Sequence, residues 1–141
     1  MDELYARVSN TTKQALYQFM KDQDIPLLNY HFDHYFQFCT QENYIQVIPH
    51  HFSSHKIEGL TVVDELGVSF SYERDNPKVK QNFTLCHELG HFILKHEGDY
   101  FTESIDNQEN LLEREANIFS AVVLMPDIVL LSKIYYSCET F

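Results

Sequence analysis

The stretch FTLCHELGHFILKH, Phe83 to His96, decides the reading of this chain. Phe83, Cys86, Leu89, Phe92 and Ile93 recur at helical spacing, so an amphipathic helix is expected from about Val79, with Gly98 placed to end it. Within that helix His87 and His91 stand four positions apart. Such residues differ by about 40° in direction and about 6 Å in height, so both imidazoles leave one face. Two imidazole nitrogens at that spacing can reach one zinc ion. Glu88 points about 100° away from His87, beside such an ion rather than onto it. This is the logic of HExxH, which draws two ligands and one general base from a single helical turn. The same spacing also occurs as two surface histidines on an ordinary helix. The apolar setting argues for a partly buried site, and Gly90 leaves room for a second backbone or a substrate to come close.

A catalytic zinc takes three protein ligands and keeps a fourth position open. His96 lies about 140° round the helix from His91, so it does not share that ion and is expected to cap the helix end. Cys86 reads as a core thiol. A better third ligand lies in LEREANIFSAVVLMP, Leu112 to Pro126. Glu113 and Asn117 share a helical face there. Glu113 can offer a carboxylate to the metal, while Asn117 can hold a ligand histidine from behind. Glu115 points about 200° from Glu113, so both cannot serve. The bland alternative is a solvated acidic face. Against it, Asn117 has Ala116, Ile118, Phe119 and Ala121 as neighbours, and an amide in apolar surroundings needs a partner.

Taken together, FTLCHELGHFIL and EREANIFSAVVLMP closely resemble the ImmA/IrrE-type metallopeptidases, a gluzincin-like group, over about Gly59 to Pro126. The resemblance implies that His87, His91 and Glu113 bind zinc, that Glu88 is the catalytic glutamate and that Asn117 is the patterned asparagine. The N-terminal helices match the family loosely. Gln81-Asn82 stand where the family often has an arginine before the Phe-Thr pair. Some members carry a C-terminal sensory domain; with fifteen residues after Pro126, none is expected here. The resemblance further implies a protein substrate, a helix-turn-helix repressor of a phage, mobile element or stress-response system, which the enzyme cleaves or inactivates. The alternative is a non-catalytic zinc-containing module that binds a repressor or antitoxin and displaces it from DNA. A zinc-dependent amidase is a third possibility.

The rest of the chain fits one domain, residues 1–141. Tyr5, Val8, Thr12, Leu16 and Phe19 mark a helix over 3–21, broken by Asp24-Ile25-Pro26, and a second helix is expected over Leu28 to Cys39. Tyr44 to Ile48, KIEGLTVV and GVSFSY read as three strands of a small antiparallel meander, with Asp64 to Gly67 as the hairpin turn and Gly67 at positive φ. DYFTESIDNQ is a polar connector, a helix from about Glu109 runs to Pro126, and a short final helix begins near Asp127. The expected class is α+β, a single zincin-like domain with N-terminal helices, a three-stranded sheet, the HExxH helix and following helices.

Apolar residues make up 44% and the formal net charge is -11, which fits a globular chain and excludes direct nucleic-acid binding through a basic face. Seven acids and one arginine between Glu97 and Glu115 would suit a basic substrate beside the cleft. Cys39, Cys86 and Cys138 are odd in number, widely spaced and without a CxxC pair, so reduced thiols and a cytoplasmic location are expected. No signal segment and no membrane-spanning run is expected. For stabilising a developing oxyanion, His31, His34, His50, His51, His55 and the tyrosines remain open, each more readily explained by packing or surface exposure.

Overall fold

Helix α1 (Asp2–Asp22) follows its apolar stripe: Val8, Thr12, Leu16, Phe19 and Met20 are buried, while Tyr5 near its start is half-exposed. The computed structural model describes residues 2–54, 57–94 and 107–139. The end of α1 is a Schellman motif. Asp24 takes a left-handed φ of 53°, its N–H donates to the Lys21 carbonyl at 3.3 Å, and the Ile25 N–H donates to the Met20 carbonyl at 2.9 Å. An aspartate tolerates this backbone because its short polar side chain carries a modest steric cost there.

The helix expected over Leu28 to Cys39 is split. A single 3-10 turn covers Leu27–Asn29, and helix α2 spans Phe32–Glu42. Between them Tyr30 is extended and turns inward, where its hydroxyl donates to the Val123 carbonyl. His31 and His34 close the helix start reciprocally: the His31 ring accepts from the Asp33 N–H, and the His34 ring accepts from the His31 N–H.

Strands β1 (Ile45–His50), β2 (Gly59–Asp64) and β3 (Gly67–Glu73) form one sheet in the order β1-β3-β2. The hairpin is as expected. Asp64 faces Gly67 across a two-residue turn, and Gly67 has φ +121°. The antiparallel meander is corrected, because β1 pairs with β3 in parallel, Ile45 opposite Val68. β3 and not β2 is therefore the central strand. Phe70 lies at its middle and is fully buried. The first strand starts one residue later than expected, since Tyr44 sits at φ 55° and is 88% exposed. A non-glycine residue in that conformation does not continue an extended strand.

Helices α3 (Lys78–Ile93), α4 (Asn107–Leu124) and α5 (Asp127–Glu139) complete the α+β domain. The core joins Leu16, Phe19, Phe36, Phe70, Leu85, Cys86, Leu89, Phe119 and Val123. Each large side chain buried there contributes about 1.5–3 kcal/mol. Burial pushes the Cys86 thiol up, and it raises Cys39 to about 11, so both behave as core residues.

Gly90 lets α3 and α4 touch. A Cβ at that position would lie 3.2 Å from the Ala116 Cα and 3.1 Å from a Phe119 ring carbon. The room at Gly90 is therefore taken by α4 rather than by a substrate. By length and composition alone, Leu111–Ser137 is apolar enough to cross a membrane, which corrects the expectation that no run is. It is divided at Met125-Pro126, and Ala116, Phe119, Val122, Val123 and Val129 are used as core. Gly98, His96 and residues 99–106 of the polar connector lie outside the described residues, while its last two, Asn107 and Gln108, belong to α4, which starts earlier than expected.

Candidate metal centre

The second half of α3 carries His87, Glu88 and His91 into the interior because its opposite stripe, Cys86, Leu89 and Leu85, is anchored in the core. His91 is 1% exposed and Glu88 is 5% exposed. From the facing helix α4, Glu113 reaches both histidines. One carboxylate oxygen, Oε2, lies 3.0 Å from His87 Nε2, and the other, Oε1, lies 2.8 Å from His91 Nε2. The two Nε2 atoms are 3.1 Å apart. Three donor atoms from two helices thus converge on one point, over sequence separations of 26 and 22 residues.

This donor set fits a divalent ion. Bonds of about 2 Å in a tetrahedron put neighbouring ligand atoms roughly 3.3 Å apart, close to the three separations here. Across the cluster, burial and the facing charges oppose one another. Burial is the largest influence on His87 and works against its charged form, but the Glu113 hydrogen bond and the charges of Glu113 and Glu88 together raise the pKa. Burial likewise opposes ionisation of Glu113, yet the bonds and charges of His87 and His91 hold it at about 2. Burial is also the main influence on Glu88 and pushes its carboxyl up, against the Thr61 hydrogen bond and the two histidines.

Glu115 goes the other way. Arg7 of α1 donates to its Oε2 at 2.6 Å, so the two acids of EREAN face opposite sides of α4. The 200° separation read from the sequence is what the fold uses. Asn117 is exposed, which corrects the apolar setting expected for it, and the buried Nδ1 of His87 has no hydrogen-bond partner. The buried stripe of α4 runs through Ala116, Phe119, Ser120 and Val123, and position 117 lies beyond its edge. Asn117 still adds the smallest of the influences that raise His87.

Three neighbours escaped sequence reasoning. Thr61 of β2 donates to Glu88 Oε1 at 2.6 Å. Phe83 stacks on the His87 ring with centroids 6.1 Å apart. Ser120 of α4 donates to the Phe83 carbonyl at 3.2 Å. Period-two spacing in GLTVV was the one available signal, since it puts Gly59 and Thr61 on one face.

The histidines considered for oxyanion stabilisation lie elsewhere. His31 and His34 cap α2, His50 packs edge-on against Phe52, and His51 pairs with Glu73 and Asp75. His55 lies outside the described residues.

A family profile described as the IrrE N-terminal-like domain, a peptidase family, matches residues 41–138. No curated protein matches the chain. The matched span covers the sheet, α3, α4 and nearly all of α5. The chain belongs to this family, which supports a peptidase-type function on a protein substrate in a generally metal-dependent group.

Proposed function

We propose that the protein is a zinc endopeptidase in which His87, His91 and Glu113 hold the ion and Glu88 is the general base. The observation that carries this reading is the convergence of two imidazole nitrogens and one carboxylate from α3 and α4, with a buried fourth group, Glu88, on the same helical turn. Two histidines and one glutamate form a known catalytic zinc set, and a bound ion would acidify a water and polarise the scissile carbonyl.

The chain's own residues do the remaining work. Glu88 accepts a proton from the attacking water and returns it to the leaving amine. Its burial supports this role, because a carboxyl pushed up in pKa is a stronger base than a solvated one. Glu113 keeps a full negative charge at neutral pH and so balances the cation. Phe83 covers one face of His87 and restricts water there. For Asn117 we propose the role of supporting His87, on whose pKa it has a small raising influence.

As substrate we propose a helix-turn-helix repressor of a phage, mobile element or stress-response system, which also places the reaction in the cytoplasm. The net charge of -11 supports a basic protein partner. Two buried free cysteines, Cys39 and Cys86, suit a reducing compartment.

The test measures bound zinc and then compares cleavage of a repressor encoded beside this gene by wild type and Glu88→Ala. Wild type is expected to cut, and the variant to lose at least about a hundredfold in rate. Equal cleavage by both would sink the mechanism. Intact repressor released from operator DNA by both proteins would instead establish the displacement module.

A further inference from the structure

We infer that Thr61 is the positioning residue for Glu88: its hydroxyl takes up Oε1 and so leaves Oε2 as the atom that exchanges the proton. This rests on the reading of Glu88 as the general base.

The bond joins the sheet to the metal-facing helix. Thr61 is 1% exposed, Glu88 is 5% exposed, and the hydroxyl donates across 2.6 Å between residues 27 apart in the chain. A buried carboxylate with a free rotor would sample several orientations. A short hydrogen bond to an ionised group removes that freedom and is stronger than a neutral one.

A second observation, independent of the bond, shows that β2 is pressed onto α3 at this level. A Cβ at Gly59 would lie 2.4 Å from the Thr84 Cγ2 and 3.5 Å from the Glu88 Cγ. Only glycine permits that approach. Gly59 and Thr61 share one face of β2 by the two-residue repeat, so the first sets the distance and the second makes the contact. Thr61 is itself held in register opposite Phe70, which is fully buried. Valine has nearly the same shape and suits a buried strand position, so the feature that distinguishes threonine here is the hydroxyl.

The experiment uses zinc-loaded full-length protein and acetohydroxamate as the probe. A hydroxamate chelates a divalent ion through two oxygens, and its remaining proton requires an acceptor such as Glu88. Thr61→Val should weaken acetohydroxamate binding about tenfold. Zinc content should stay at the wild-type level. Thr61→Ser, which restores the hydroxyl, should return binding to within about twofold of wild type. Glu88→Gln should weaken binding at least as much as Thr61→Val. If Thr61→Val does not fold, Thr61→Ala is read in its place. Binding by Thr61→Val equal to wild type, with Glu88→Gln weakened, overturns the role of Thr61 alone. Glu88→Gln equal to wild type overturns the reading of Glu88 as base, and the inference with it. Thr61→Ser as weak as Thr61→Val assigns the effect to packing and also overturns it.

Discussion

Two places among the described residues bring together three side chains able to ligate a metal, and they differ in what already satisfies them. His87, His91 and Glu113 meet between α3 and α4, while His51, Glu73 and Asp75 meet at the end of β3. In the second cluster the Glu73 carboxylate accepts from the Phe52 N–H at 2.9 Å and the Asp75 N–H at 3.1 Å, so backbone donors already organise it. His51 and Asp75 are 55% and 66% exposed, so both are open to solvent. In the first cluster His91 is buried and Glu113 is half-exposed, and the Glu113 oxygens both face histidine nitrogens. Similar side chains thus make a surface clasp in one place and a cluster of mutually facing ligand atoms in the other. The deciding property is whether the chain supplies its own hydrogen-bond donors.

The comparison breaks most sharply at the ligands themselves. His91→Ala should lower zinc affinity by more than about a hundredfold, beyond the loss typical of a supporting residue, in a chelator competition. His51→Ala should leave zinc content unchanged. The reverse result would exchange the roles of the two clusters.

The next largest effect concerns geometry. The inner cluster spans two helices and depends on how closely they approach, whereas Glu73 is bound by nearby backbone. Gly90→Ala inserts a methyl 3.1 Å from Phe119 and 3.2 Å from the Ala116 Cα. It should destabilise the fold by about 1–3 kcal/mol in urea unfolding. It should also weaken zinc binding, because Glu113 moves away with α4. Normal affinity in Gly90→Ala would show that the spacing is set elsewhere.

A smaller effect is expected at Arg7. Its guanidinium pairs with Glu115, whose side chain is 11% exposed, although Arg7 itself is 61% exposed. Solvent screening reduces the loss in Arg7→Ala to about 1 kcal/mol. The unfolding midpoint should shift without a change in zinc stoichiometry.

The smallest effect is electrostatic and belongs to the outer cluster. The backbone N–H of Phe52, then that of Asp75, holds the Glu73 pKa at about 2, below the ordinary 4.5. A depressed carboxylate adds stability above its unfolded pKa and loses it as pH falls through the folded value. The stability difference between wild type and Glu73→Gln should therefore be full above pH 4.5 and shrink toward pH 2. A difference that grows on acidification would contradict the assignment.

Much of this architecture could be read from residue order. Helical periodicity located α1, α3 and α4, and the i, i+4 spacing of His87 and His91 fixed their common face before any fold was known. The separation of Glu113 from Glu115 was equally local, because both lie on one helix. Pairing of strands was not local. Nothing in IQVIPH states whether it runs with or against GVSFSY, since the answer depends on the path of residues 51–58. The inward turn of Tyr30 was hidden for the same reason, as its partner is a carbonyl 93 residues away. Thr61 looked like any β-branched strand residue until the sheet met α3. Asn117 misled because its sequence neighbours are apolar, yet a helix shows each successive residue a different direction.

Pro49 has a consequence for how this chain avoids its own kind. Strand β1 lies at one margin of the sheet and exposes Val47 and Ile48, at 38% and 40%. An apolar marginal strand is a template for aggregation. The His50 carbonyl turns toward β3, where the Arg74 N–H meets it at 2.9 Å, so the preceding residue, Pro49, faces outward. There it offers an incoming chain no donor. The opposite margin, β2 from Gly59 to Asp64, contains no such block, and it is the margin that touches Glu88. One ring closure therefore makes the two margins unequal, removing a backbone donor from the one remote from Glu88.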